Sequence, residues 1–221
     1  MPTTSPFKRL ILRAVLRDVY PMVIRLVAVP DYLELADFDD IFHAVLGWEG
    51  GSGYAFHVHS HAFTSFRRQT RSTTLRDFRL HRHETFLYTL GALDQWEWEL
   101  RVVDRQDGTA GDETPMCVGG RGATPPQYAG GPTGYRLMLK RQEVGDHMYL
   151  PAEVDTVIEM LASAHPDQPA STWDVWRSVM ADGCRSLDRR LAQSGPLTPE
   201  RFTLREANER VATLLKFRRF V

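Results

Sequence analysis

Three features of this 221-residue chain predict an α+β fold, a mostly antiparallel sheet with helices packed on it in a roll-like arrangement. Apolar residues alternate with polar ones through most of the first half. Helical periodicity is confined to one early segment and the last third. Between them, Pro115 to Tyr135 reads PMCVGGRGATPPQYAGGPTGY, dense in the residues that punctuate regular structure. Strands and helices that segregate in sequence favour α+β over a parallel doubly wound sheet.

In chain order, Leu10, Leu12, Ala14 and Leu16 alternate with Arg9, Arg13 and Arg17 as a half-buried strand does, although the arginines also sit at helical spacing. Val23 to Val29 is rich in β-branched residues and ends at Pro30, a second strand after a short turn at Asp18 to Pro21. The period then changes. Leu35, Phe38, Ile41, Phe42, Val45 and Leu46 form one helical stripe, with Gly47 where a C-terminal cap belongs. Tyr54 to Phe66 returns to alternation and reads as one strand, with Phe56, Val58 and Ala62 on one face and His57, His59 and His61 on the other. Phe86 to Leu90 and Trp96 to Val103 read as a hairpin.

The Gly/Pro stretch reads as a built loop, because fixed-φ prolines alternate with permissive glycines and end on an aromatic anchor. Helices follow Tyr135. Val154, Val157, Ile158 and Leu161 make one stripe. Trp173, Trp176, Met180, Leu187 and Leu191 make another behind a Ser171 to Asp174 cap, with Gly183 a point of interruption. Ala164 to Ala170 reads as a linker, and Thr203-Leu-Arg-Glu206 as a capping box opening a last helix. The expected organisation is a single domain over 1–221, with an α+β core at 8–142, a helical insertion at 143–196 and a C-terminal helix at 197–221 returning to the core.

Composition narrows the function classes. Hydrophobic content of 43%, charged content of 25% and five tryptophans are those of a globular protein. A net charge of -1 offers no global attraction to nucleic acid or membrane, so such contact requires a local patch. No apolar run approaches the ~18 residues of a membrane span, and the first residues lack an apolar signal core, so a cytoplasmic protein without membrane partners is expected. Cys117 and Cys184 are far apart and read as free thiols.

The pattern P-x-C-x-x-G-x-x-A-x-P-P-x-x-x-G-G-P-x-G-Y, carried by Cys117, Pro125, Pro126, Gly130, Gly131, Pro132, Gly134 and Tyr135, resembles the signature of the plasmid pRiA4b Orf-three-like family. Its members include passenger proteins of insertion sequences, some labelled as resolvases. Arg25 and Val29-Pro30 match the family's first motif strand, Leu46-Gly47-Trp48 its helix exit, and Asp94 and Trp96 its Y-D-F-G-D-x-W-x-H patch. Asn208 matches the closing motif. Other family positions are altered: Asp39 and His43 stand where histidine and glutamine are usual, Gly91 and Trp98 replace an aspartate and a histidine, and Thr124, Gln127 and Ala129 replace cysteine, glutamate and cysteine. The resemblance implies a divergent member that keeps scaffold residues and lacks a complete polar or metal site.

Two constellations remain. His57, His59 and His61 on one strand face could supply zinc with nitrogen ligands, completed by His81 and His83; the plain alternative is a solvated polar face. Arg67, Arg68, Arg71, Arg76, Arg79 and Arg82, with Phe66 and Phe78 interleaved, could grip phosphates and stack on bases; the alternative is a solvated loop offset by the acidic run Asp31 to Asp40. Asp94 beside Trp96 lacks an acid/base partner, and no phosphate-binding Gly-Lys-Ser/Thr or dinucleotide motif occurs, so neither a catalytic residue nor a cofactor is assigned. The expectation is a non-catalytic scaffold or interaction module with an unknown protein or nucleic-acid partner. The alternative is a metal-dependent enzyme built on the histidine strand.

Overall fold

The computed structural model describes residues 7–50, 53–65, 72–91, 96–109, 112–144, 150–194 and 197–218. The chain divides into two compact units, 1–136 with 199–221, and 137–198.

The first unit is built on a seven-stranded sheet in which every pairing is antiparallel. Its strands are β1 (Lys8–Leu16), β2 (Ile24–Pro30), β3 (Tyr54–Val58), β4 (His61–Thr64), β5 (Thr85–Leu90), β6 (Trp96–Asp107) and β7 (Met116–Arg121), in the order β4-β3-β5-β6-β1-β2-β7. The first segment is therefore a strand and not a helix. Leu10, Leu12, Ala14 and Leu16 are buried on one face, and β1 is flanked by β2 and β6.

Helix α1 (Leu35–Leu46) lies where the periodicity places it, and Gly47 ends it in the left-handed region at φ 75°. Its Phe38 and Phe42 meet the sheet's aromatic stripe. Phe42 stands edge-on to Trp98 at 5.1 Å and to Tyr88 at 5.5 Å, and Tyr88 lies 4.8 Å from Phe56. All five side chains are fully buried, each contributing ~1.5–3 kcal/mol by removal from water. Helix α5 (Leu204–Arg218) packs against α1 and β7, burying Ala207 and Val211.

Tyr54 to Phe66 is not one strand but a hairpin, β3 and β4, turned at His59 and Ser60 with φ of 48° and 66°. Both turn residues are left-handed, the geometry whose twist suits a two-residue hairpin, but neither is the glycine that usually announces it. The Gly/Pro stretch is also less of a loop than its composition suggests. Its first residues form β7, an edge strand on β2, and Val118 is accommodated as a register shift between Leu26 opposite Gly119 and Val27 opposite Cys117. Only 122–130 is irregular, apart from a short 3-10 turn at Gln127–Ala129, and α2 (Gly131–Val144) starts before Tyr135 rather than after it.

The second unit contains the end of α2, then α3 (Leu150–Ala164) and α4 (Ala170–Ser194), a helical hairpin joined through 165–169. The Gln142 carboxamide bonds both the N–H and the C=O of Leu197, tying the two ends of the unit together. Helix α4 runs unbroken through Gly183, so the expected interruption is absent, and it begins at Ala170, which leaves Ser171 inside the helix rather than capping it.

Candidate functional site

Signature residues from distant parts of the chain converge on β2, β7 and the loop that follows β7. Arg25 sits opposite Ala14 on one side and Gly120 on the other, which turns its side chain into the core, where it is 2% exposed. Its guanidinium donates to the carbonyls of Ile24 at 2.6 Å and Arg121 at 3.0 Å and to the Thr124 hydroxyl at 2.8 Å, and it lies 4.2 Å from the centre of the Phe202 ring. Gly120 makes this stacking feasible, since a Cβ there would stand 2.8 Å from both the Phe202 ring and the Ile24 carbonyl. Arg25 thus holds the start of the irregular loop to the sheet.

Tryptophans hold the rest of that loop. Trp48 Nε1 donates to the Pro125 carbonyl at 2.7 Å, and Trp96 Nε1 reaches the Gln127 carbonyl at 3.4 Å. The Glu49 N–H donates to the Gln127 side chain at 2.9 Å. Gly134 lies against the Ala129 carbonyl at a distance no Cβ could enter, and Tyr135 is buried beside it in sequence. Pro126 caps the short 3-10 turn, Gly130 ends it at φ 77°, and Gly131 and Pro132 begin α2.

Cys117 and Asn208 form the second contact. The Cys117 N–H donates to Asn208 Oδ1, and Asn208 Nδ2 donates to the Cys117 carbonyl, both at 2.9 Å. Two residues further along α5, Arg210 donates to the Ala44 and Val45 carbonyls, which caps the last turn of α1. Among the described residues, Glu206, Glu209, Arg210 and Thr213 line an open groove of about 470 Å³ along this helix.

Burial lowers the Arg25 pKa to about 10, offset by Cys117 and reinforced by Arg210. Burial also pushes the Cys117 thiol up, despite the pull of the two arginines. A thiol that is 1% exposed and raised above its ordinary value stays protonated at neutral pH and is a poor nucleophile.

A second polar group lies within the aromatic core. Tyr88 donates its hydroxyl to Asp39 Oδ1, and His43 Nδ1 lies 2.9 Å from the Asp39 carbonyl oxygen and 3.5 Å from its carboxylate. All three residues are buried. Burial pushes the Asp39 carboxyl up, countered by His43 and by the Tyr88 hydrogen bond, and holds the Tyr88 hydroxyl far above its ordinary value. His43 Nε2 and Trp98 Nε1 are buried without a hydrogen-bond partner among the described residues.

The histidines regroup relative to the sequence reading. His57 is paired with Ala62 and Val58 with His61, so His57 and His61 occupy opposite faces, and His59 is in the turn. His59 instead faces Glu84 at 3.8 Å, whose other oxygen is 3.5 Å from His81. Among the described residues no group of three or more histidines, cysteines and carboxylates is placed to hold a metal ion.

The arginines divide similarly. Arg76 forms a two-pronged pair with the buried Asp31, at 2.8 and 3.1 Å. Arg82 donates to the Val103 carbonyl, and Arg79 is exposed at φ 50°. Arg67, Arg68, Arg71 and Asp94 lie outside the described residues.

Sequence reasoning missed Phe202 and Arg210, and with them the way α5 completes the site. The available signal was a set of polar residues, Asn208 and Arg210, interleaved with the apolar stripe of Ala207 and Val211.

An antiparallel sheet carrying one helix and a pinned Gly/Pro loop, and closed by a C-terminal helix, defines the class of α+β scaffold to which this molecule belongs. The chain is a member of the plasmid pRiA4b ORF-3-like protein family, whose model matches residues 8–166. It is 28% identical over 136 residues to the uncharacterized protein y4hQ of Sinorhizobium fredii (strain NBRC 101917 / NGR234), a match covering 57% of this chain and 68% of that protein. Its fold is similar to the crystal structure of MM3350, a protein of unknown function from Methanosarcina mazei Go1, with a TM-score of 0.50 and 22% identity over 62% of this chain and 82% of that one. Among the described residues, no helix is long and apolar enough to cross a membrane.

Proposed function

We propose that this protein is a non-catalytic scaffold, an interaction module of the mobile-element passenger type. The observation that carries the reading is the use of the signature side chains. Arg25, Trp48, Trp96 and the matching Asn208 are engaged with backbone groups that fix the loop and the sheet edge. Such an arrangement holds a surface in one shape, which is what recognition of a partner requires. Metal analysis of untagged protein tests it against the enzyme reading. Stoichiometric zinc that disappears on His59→Ala would overturn the scaffold and establish the metal-dependent alternative, whose support is the approach of His59 and His81 to Glu84.

Weak nucleic-acid contact is a second feature of the proposal, favoured by the exposure of Arg79 and Arg82 at the end of the arginine stretch. Fluorescence anisotropy with a labelled duplex and a labelled single strand should show binding without sequence preference that falls with salt. Neutralising Arg67, Arg68 and Arg71 together should reduce the log-log salt slope by about 2–3, since each duplex phosphate contact contributes about 0.9. No binding at low salt, or binding indifferent to those substitutions, leaves a protein partner as the reading.

A further inference from the structure

The second unit carries exposed apolar side chains on both helices of its hairpin. On the last turns of α3, Val157 is 48% exposed, Met160 69% and Leu161 46%. On the first turns of α4, Val175 is 63% exposed, Trp176 55%, Val179 57% and Met180 40%. The spacings are helical, and the connection at 165–169 brings the end of α3 beside the start of α4, so the two stripes form one patch near the tip of the hairpin. Taking ~150–250 Å² for a fully exposed side chain of these sizes, the patch amounts to roughly 700 Å². That exceeds the ~300–600 Å² of the largest apolar patch on an ordinary monomer and approaches the ~800 Å² each partner contributes to a standard interface.

We propose that a second copy of this chain covers this patch, through an antiparallel pairing of α4 with α4 about a two-fold axis at Val179 and Met180. Area supports it, because one patch used by both copies supplies nearly the whole of a standard interface and needs no second surface. The register this axis sets is compatible with it. With the axis between Val179 and Met180, Trp176 of one copy stands opposite Gly183 of the other. At Gly183 an added Cβ would stand in open space, so the helix surface is bare of side chain there. A glycine inside a 25-residue helix costs about 1 kcal/mol relative to alanine, and a bare surface that receives an indole accounts for its presence. Of the flanking charges, Asp174 and Arg177 pair with each other on the same helix at 3.1 Å.

Sedimentation or light scattering of the full chain, with acrylamide quenching of tryptophan fluorescence, tests the proposal. The wild type should have twice the 25.3 kDa chain mass at micromolar concentration, and Trp176→Glu should have the single mass with unchanged helicity. Gly183→Leu is the decisive variant. On a free helix surface it would strengthen the helix and leave the mass alone; in the proposed dimer it should crowd the indole and weaken association about tenfold or more. Quenching should rise as the dimer dissociates. A wild type of single mass at high micromolar concentration, whether the patch is covered by another part of the chain or left open, overturns the proposal, as does a dimer that both variants leave intact.

Discussion

Replacing Asn208 by alanine isolates the contact between the last helix and the sheet edge. The carboxamide makes two hydrogen bonds of 2.9 Å to the N–H and C=O of one residue, Cys117, which is 1% exposed. Each bond has a net worth of ~1 kcal/mol, and orphaning a buried backbone group costs ~1–3 kcal/mol. Asn208 is itself only half-buried, so water reaches part of the vacated space and keeps the loss near the lower end. The expected destabilisation is about 2–3 kcal/mol, or about 5–10 °C in Tm for a chain of this size. Urea denaturation should show a lower midpoint at unchanged slope, because the surface exposed on unfolding is the same. Hydrogen exchange should show the Cys117 amide losing more protection than the interior of β1, which Asn208 does not touch. A loss below about 0.5 kcal/mol, or equal loss of protection in β1 and β7, would refute the assignment of Asn208 as an edge cap.

Tyr135→Ala should cost about 3–5 kcal/mol, since the side chain is only 3% exposed; thermal denaturation checks it. Trp48→Phe keeps a ring but removes the donor to the Pro125 carbonyl, and should cost about 1–2 kcal/mol in the same assay. Asp39 gives a pH dependence. Its folded pKa is raised above the ordinary 3.8, so its contribution is full below that value and is lost as pH rises through the folded pKa, where the unfolded chain has already released the proton. Asp39→Asn keeps the acceptor for Tyr88 and cannot ionise, so a plot of stability against pH from acid to neutral should decline less than that of the wild type.

Much of the fold was legible because burial imposes a period. The alternation of Leu10, Leu12, Ala14 and Leu16 and the stripe from Leu35 to Leu46 each survive as drawn. Errors arose where backbone geometry runs against residue type. The turn at His59 and Ser60 uses left-handed residues without glycine, and β7 uses glycines as strand residues because Phe202 occupies the space above Gly120. The signature marked Arg25, Trp48, Cys117 and Asn208 individually, but their joint action depends on contacts spanning much of the chain, which no local pattern encodes. The apolar stripe of α4 was legible as a stripe, yet its spacing alone does not distinguish a covered face from the exposed one on which Trp176 and Met180 lie.

The cap on β7 has a consequence for synthesis on the ribosome. Asn208 lies 91 residues after the strand it satisfies, and Arg210 lies 165 residues after the Val45 carbonyl it caps. At translation rates of about 5–20 residues per second, β7 waits about 5–20 s for its cover. Throughout that interval Met116 and Val118, still 38% and 40% exposed in the finished molecule, belong to an edge strand whose outward N–H and C=O groups can template another nascent chain. Messages truncated between β7 and α5 should therefore yield products that burden the chaperone machinery rather than shorter working proteins.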